Sequence, residues 1–202
     1  MAVWLSAQPL VLASGSAVRR KLLEAAGIPL TVHAADIDER RLEAEAPPMP
    51  AADAAARLAC AKAAVVAKSS PGRLVLGADQ ILTLDGKRFA KPADRAAARS
   101  QLRAFAGRTH ELHSAIVLVQ DTTTLFQHAD VARLTMRAFS DEFLDRYLDV
   151  AGAAVTASVG AYQLEGPGIQ LFERIEGDYF TILGLPLLPA LDFLRRHGCL
   201  MA

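Results

Sequence analysis

Short apolar runs and longer stretches of helical spacing take turns along this chain. Residues 9–13 are apolar and read as a buried strand. Ser14-Gly15-Ser16 breaks the run, and the spacing of Val18, Leu22, Leu23 and Ala26 predicts a helix over 17–26, stopped by Gly27. Strand character returns over 28–34. A charged stretch at 36–45 leads into a proline-rich loop at 47–50, and 51–68 predicts a strong helix closed by Ser69-Ser70-Pro71-Gly72. Residues 74–78 read as a fully buried strand running into Asp79-Gln80, with a second strand over 81–84 and a turn at Asp85-Gly86. Lys91-Pro92 precedes a helix over about 94–105. Two long strands follow, at about 109–120 and 125–136, then a helix opened by Ser140 as N-cap. A glycine-rich segment at 159–168, a short strand at about 171–175 and a last helix at about 186–197 complete the chain.

Strands alternate with helices, yet several neighbouring strands have hairpin spacing. This predicts an α/β fold with a mixed, elongated sheet flanked by helices rather than a purely parallel one. With 202 residues, no internal repeat and no low-complexity linker, the expectation is one compact, bilobed domain over 1–202.

Composition sharpens this picture. Hydrophobic residues make up 52% but aromatics only 6%, and there are 39 alanines, so the apolar content belongs largely to helices packed at close range. Lys plus Arg and Asp plus Glu both number 22, for zero formal charge. Such a balance argues against nucleic acid as a partner, because that affinity comes from neutralising phosphates. It also argues against a polybasic membrane anchor and against disorder. No run of about 18 apolar residues is present to span a bilayer. The apolar stretch in residues 1–16 has no Lys or Arg before it and is interrupted at Gln8-Pro9, so it reads as a lead-in to the first strand rather than a signal peptide. Cys60 and Cys199 lie far apart, and Cys60 in its alanine-rich helix reads as a small buried thiol; a reduced, cytoplasmic setting is expected.

Four segments carry candidate chemistry. A strand, a small-residue turn and a helix start meet at Ala13-Ser14-Gly15-Ser16-Ala17-Val18-Arg19-Arg20, where free backbone N–H groups, hydroxyls and two guanidinium groups suit a polyphosphate. It is not a Walker A loop, since no Gly-Lys-Ser/Thr closes it. Asp79 ends a buried apolar strand, where a carboxylate must be paired, metal-bound or set at the sheet's rim. In Asp36-Ile37-Asp38-Glu39, one or more acids could join Asp79 around magnesium or manganese. Proline restricts the geometry of Lys91, whose ammonium could offset charge on phosphate. Each also has a plainer reading, as N-cap, strand-end carboxylate, surface loop or solvated lysine. His110 and His113 fall on opposite faces of their strand, which is not metal spacing.

In order, LVLASGSAVRRKLLEAAGIPL (10–30), ADIDER (35–40), LACAKA (58–63), VLGADQ (75–80), KPAD (91–94), GRTHELHSA (107–115), SVGAYQLEGPGIQLFERIEGDYFTILGLPL (158–187) and the final helix resemble the Maf family of nucleoside triphosphate pyrophosphatases. The resemblance implies a bilobed Maf/ITPase-like fold with a central cleft between the lobes, usually homodimeric. It also implies hydrolysis of a nucleoside triphosphate to the monophosphate and pyrophosphate with a divalent cation, Mg2+ or Mn2+. It assigns Asp79 as proton acceptor, with Lys91 and Glu39 beside it, Ser14, Arg19, Arg20 and Lys62 to phosphate, and Asp79 and Glu39 to the metal. Lys62 enters by resemblance alone, since helical spacing makes it an unremarkable exposed lysine. Gln80 and Glu165 resemble the branch associated with 7-methyl-GTP, whereas Val18 stands where that branch tends to carry Trp; pyrimidine triphosphates stay open. Ser16-Ala17 and Ser114-Ala115 replace the frequent Ser-Pro and Thr-Gly. Two alternatives remain: a non-catalytic nucleotide-binding regulator of septum formation, and a house-cleaning hydrolase for triphosphates such as ITP.

Overall fold

The computed structural model describes residues 3–202. Its centre is a seven-stranded mixed sheet built from β1 (Leu10–Ala13), β2 (Leu30–Val32), β3 (Leu74–Leu84), β4 (Lys87–Phe89), β5 (Thr109–Gln120), β6 (Thr123–Met136) and β7 (Phe172–Glu176). The order is β2-β1-β3-β5-β6-β7, with β4 added to β3. β1 runs parallel to β2 and β3, and every other pairing is antiparallel. The helices are α1 (Ala17–Ala25), α2 (Glu39–Ala44), α3 (Ala51–Lys68), α4 (Arg95–Phe105), α5 (Asp141–Ala151), α6 (Tyr179–Ile182) and α7 (Leu187–Arg196). None of them is long and apolar enough to cross a membrane.

Two sequence expectations change here. The proposed break at Asp79-Gln80 does not exist: β3 is one strand of 11 residues, and Asp79 lies in its middle rather than at its end. Polar residues interrupt the apolar pattern because the sheet itself is interrupted beside them. One edge of β3 is covered by β5 from Leu74 to Thr83. The other edge pairs with β1 at Val75 to Gly77 and with β4 at Leu82 to Leu84, which leaves 78–81 without a strand partner. The second change is β2, which spans three residues rather than the seven expected. α2 and α6 lay unrecognised in the charged stretch and the later loop.

Strand alternation sorts the core. Leu10, Leu12, Leu76, Ala78, Ile116 and Leu118 pack on one face with α7. Val11, Ala13, Val75, Ile81, Ala115 and Val117 pack on the other against the alanines of α3. A further cluster around Leu82, Leu84, Phe105, Leu134, Leu144 and Leu148 occupies the opposite end of the long strands. Gly77 permits the closeness of α3, because a Cβ there would run into the Ala59 carbonyl and the Ala63 side chain. The alanine richness thus brings a helix close enough to β3 for its polar side chains to meet.

Candidate active site

A cleft of about 920 Å³ opens at the unpaired stretch of β3. Its lining includes Ser14, Val18, Arg19, Glu39, Lys62, Asp79, Gln80, Lys91 and Glu165, nine of the ten site residues that the family resemblance picks out. Arg20 does not line it. The Arg20 guanidinium is exposed and sits 3.5 Å from Glu24, one helical turn along. Adjacent positions on a helix cannot share a direction, and Arg19 is the one turned inward.

Arg19 is buried and completes the fold at the sheet gap. Its Nε donates to the Gly184 carbonyl at 2.7 Å, and Nη1 donates to Ser14 Oγ at 3.0 Å and to the Ala78 carbonyl at 2.9 Å. The last contact satisfies a backbone group that a neighbouring strand would otherwise take. Nη2 has no hydrogen-bond partner among the described residues. Burial pulls the Arg19 pKa down, opposed by Asp79 and Glu39. Ser16 caps α1 by accepting from the Arg19 N–H, and the first-turn residues Ala17 and Val18 line the cleft beside it. Such first-turn N–H groups lack intrahelical acceptors, so a hydroxyl, free amides and a guanidinium converge on one space.

Asp79 and Gln80 point to opposite faces of β3. On the α3 side, Lys62 Nζ lies 2.6 Å from Asp79 Oδ1 and 2.8 Å from Glu39 Oε1. Lys62 is therefore buried and doubly paired, not the exposed lysine that helical spacing suggested. Burial raises the Asp79 pKa; Lys62 and Arg19 oppose that shift and Glu39 adds to it. Oδ2 makes no hydrogen bond among the described residues. Glu39 arrives through α2, which Asp38 caps by accepting from the Arg41 N–H at 3.0 Å. Of the acids at 36–39, only Glu39 lines the cleft.

The Gln80 side holds neutral hydrogen bonds instead. Nε2 donates to the Thr181 carbonyl at 3.2 Å and the Ile182 carbonyl at 2.9 Å, with Ser114 Oγ at 3.0 Å. Carbonyls only accept, so the amide's orientation is fixed by chemistry. Oε1 makes no hydrogen bond among the described residues, and Gln80 lines the cleft. Ser114 in turn donates to the Thr181 carbonyl at 2.7 Å. This polar seam falls between Ala78 of one core and Leu82 of the next.

Glu165 and Lys91 are exposed at the rim. Sequence reasoning missed Arg40, Glu43 and Arg88, which also line the cleft, and Tyr162 in its wall. Nothing in their spacing distinguishes them from solvated charges; only the β3–β4 register and the position of α2 bring them here. His110 lies fully buried behind the wall, its Nε2 2.8 Å from Tyr162 Oη, and burial pushes its pKa down to about 4. A neutral buried ring with that partner is structural. Cys60 is half-buried rather than buried, and both cysteines are free.

No group of three His, Cys, Asp or Glu among the described residues could hold a metal alone. Asp79 and Glu39 do bracket a cation, the Lys62 ammonium. Two carboxylates completed by phosphate oxygens and water match the habit of magnesium at nucleotide sites, so these residues fit an ion shared with a substrate.

The family model described as Maf-like protein matches residues 9–197. A protein of Rhodopseudomonas palustris named nucleoside triphosphate pyrophosphatase is 56% identical over 201 residues, covering 99% of each chain. One of Nitrobacter winogradskyi with the same name is 54% identical over 99% of each chain. A protein of Brucella suis biovar 1 named 7-methyl-GTP pyrophosphatase is 53% identical over 95% of this chain and 97% of its own. A solved dITP/XTP pyrophosphatase of Mycobacterium abscessus aligns with 64% of this chain and 73% of its own, at 17% identity and a TM-score of 0.37, too slight a likeness to bear on the site.

Proposed function

The chain belongs to the Maf family, and from that membership and the geometry of the cleft we propose that it hydrolyses a nucleoside triphosphate to the monophosphate and pyrophosphate. The observation that carries this is the Asp79–Lys62–Glu39 cluster at the unpaired edge of β3, beside a helix start and the inward Arg19. Ser14, the first-turn amides of α1, Arg19 Nη2, Lys62 and Lys91 hold the triphosphate. Asp79 Oδ2, free of protein donors, takes a proton from water as the water oxygen bonds to the α-phosphorus. The bond from that phosphorus to the α–β bridging oxygen breaks, and the electron pair leaves with pyrophosphate. A divalent cation, Mg2+ or Mn2+, bound by Asp79 and Glu39 would supply countercharge to the phosphates. Lys62 keeps Asp79 oriented throughout.

For the base, we favour a guanine-type ring, 7-methylguanine included. With its amide hydrogens directed at the Thr181 and Ile182 carbonyls, Gln80 offers only an acceptor, and the Glu165 carboxylate is another. Guanine's N1–H and 2-amino group are adjacent donors, whereas uracil and thymine flank one donor with acceptors. The name of the Brucella suis relative agrees with this choice.

Pyrophosphate release measured with Mg2+ or Mn2+ across 7-methyl-GTP, GTP, dTTP, UTP, CTP and ITP tests both levels. Release from 7-methyl-GTP or GTP ahead of the others is expected. A clear dTTP preference would refute the base assignment, and fastest release from ITP would favour the house-cleaning alternative. Nucleotide binding without any pyrophosphate release would favour a regulator.

A further inference from the structure

Two cations of the cleft play no part in the reaction described above. Arg40 follows Glu39 on α2, and Arg88 lies on β4; both line the cleft. Arg88 is paired with Thr83 across the β3–β4 ladder, and directly opposed residues share a face. It therefore projects from the face that carries Thr83, Ile81 and Asp79, the α3 side, and not from the Gln80 side.

Charged groups follow one another outward from Asp79 along that face. Lys62 comes first and Glu39 second, then Glu43 one helical turn along α2, then Arg88. Arg88 Nη1 is 3.7 Å from Glu43 Oε1, longer than a hydrogen bond. Nη2 donates to the Met49 carbonyl at 3.1 Å. With its side chain 37% exposed, Arg88 keeps N–H donors for an anion. Arg40 makes no hydrogen bond or ion pair with any described residue. Lys62 is already shared between two carboxylates. A triphosphate whose α-phosphorus sits at Asp79 has two more phosphate groups to neutralise. With the base read by Gln80 and Glu165 on the other side of the cleft, these two groups are left the α3 face. Arg88 stands on that face, and Arg40, unpaired among the described residues, lines the same cleft.

Resting on the triphosphate reading above, the geometry points to Arg88 and Arg40 as the grip on the terminal phosphate, which selects triphosphates over di- and monophosphates. Calorimetric titration of the full chain with inorganic tripolyphosphate, pyrophosphate and orthophosphate in Mg2+ tests this. Arg88→Gln and Arg40→Gln each weaken tripolyphosphate binding about tenfold, the scale of one charge-assisted hydrogen bond, and leave orthophosphate nearly unchanged. Glu43→Gln has the opposite sign, since it frees Arg88 and removes a repelling carboxylate. Arg146→Gln on α5, paired with Glu142 away from the cleft, controls for general charge, and thermal melts control for folding. If Arg88→Gln and Glu43→Gln weaken binding alike, Arg88 works by holding α2 and the proposal is wrong. Parent-like binding by both arginine variants, or no tripolyphosphate binding by the parent chain, also overturns it. Turnover assays run alongside separate the two levels. Arginine-dependent tripolyphosphate binding without pyrophosphate release from any nucleotide sinks the hydrolase and leaves the grip. Normal release with arginine-independent binding sinks the grip alone.

Discussion

The two faces of β3 at its gap are held by different forces. On the α3 face, the buried Lys62 ammonium joins the buried Asp79 carboxylate at 2.6 Å to the half-exposed Glu39 carboxylate at 2.8 Å. On the other face, Gln80, Ser114 and two carbonyls of α6 form a neutral network with no titratable member. Coulomb energies in a buried site are strong and respond to pH and to an arriving anion. Neutral hydrogen bonds do neither. A strand lying between them can keep a rigid recognition surface on one side while charge is redistributed on the other.

Asp79→Asn breaks the charged face with the largest effect expected. Turnover falls about 10²-fold or more, because the general base is gone. Stability at neutral pH does not fall. The sign follows from linkage: a carboxylate whose pKa is raised on folding contributes stability below its unfolded value and loses it as pH rises through the folded one. Asparagine removes that loss while Lys62 keeps Glu39. The same raised pKa sets the acid limb of kcat/KM above the range of an ordinary aspartate. Lys62→Met removes the main influence opposing burial, so the limb moves to still higher pH. A limb that stays fixed in Lys62→Met would show that another group titrates.

Gln80→Met breaks the neutral face without touching the charged one. The side chain keeps its length but loses the amide, so the Ile182 carbonyl is left without that donor while the Thr181 carbonyl keeps Ser114. The expected cost is about 1–3 kcal/mol of stability in denaturant unfolding. Discrimination between GTP and UTP falls with it, while the acid limb of the pH profile stays in place. A shifted limb would mean that the faces are not independent.

The difference between the faces also explains what the sequence made legible. α3, α4 and α5 carry amphipathic patterns, and Asp94 and Ser140 cap two of them by accepting backbone N–H groups, so these helices could be placed in advance. α2 has no buried residue and hence no periodicity to read. The polar pair Asp79-Gln80 looks like a strand end in the local pattern, but its polarity answers to a tertiary gap in the sheet that no local pattern carries. Lys62 was legible only by family likeness, since its burial follows from the close approach of α3 over Gly77, which is a property of two segments together. Arg19 and Arg20 look alike in sequence, and one helical step gives one of them three hydrogen bonds and the other a surface ion pair.

The smallest expected effect sharpens the comparison at the rim. Glu165 is exposed, so replacing its carboxylate with an amide should leave unfolding within about 0.5 kcal/mol of the parent. Its contribution to recognition is also limited by solvent, which competes for the same lone pairs. Glu165→Gln lowers the preference for GTP over UTP by about fivefold, the scale of one net hydrogen bond. It does so through KM, because the base lies away from the bond that breaks. A change confined to kcat would instead tie Glu165 to the charged face, and the division of labour across β3 would then fail at its outer end.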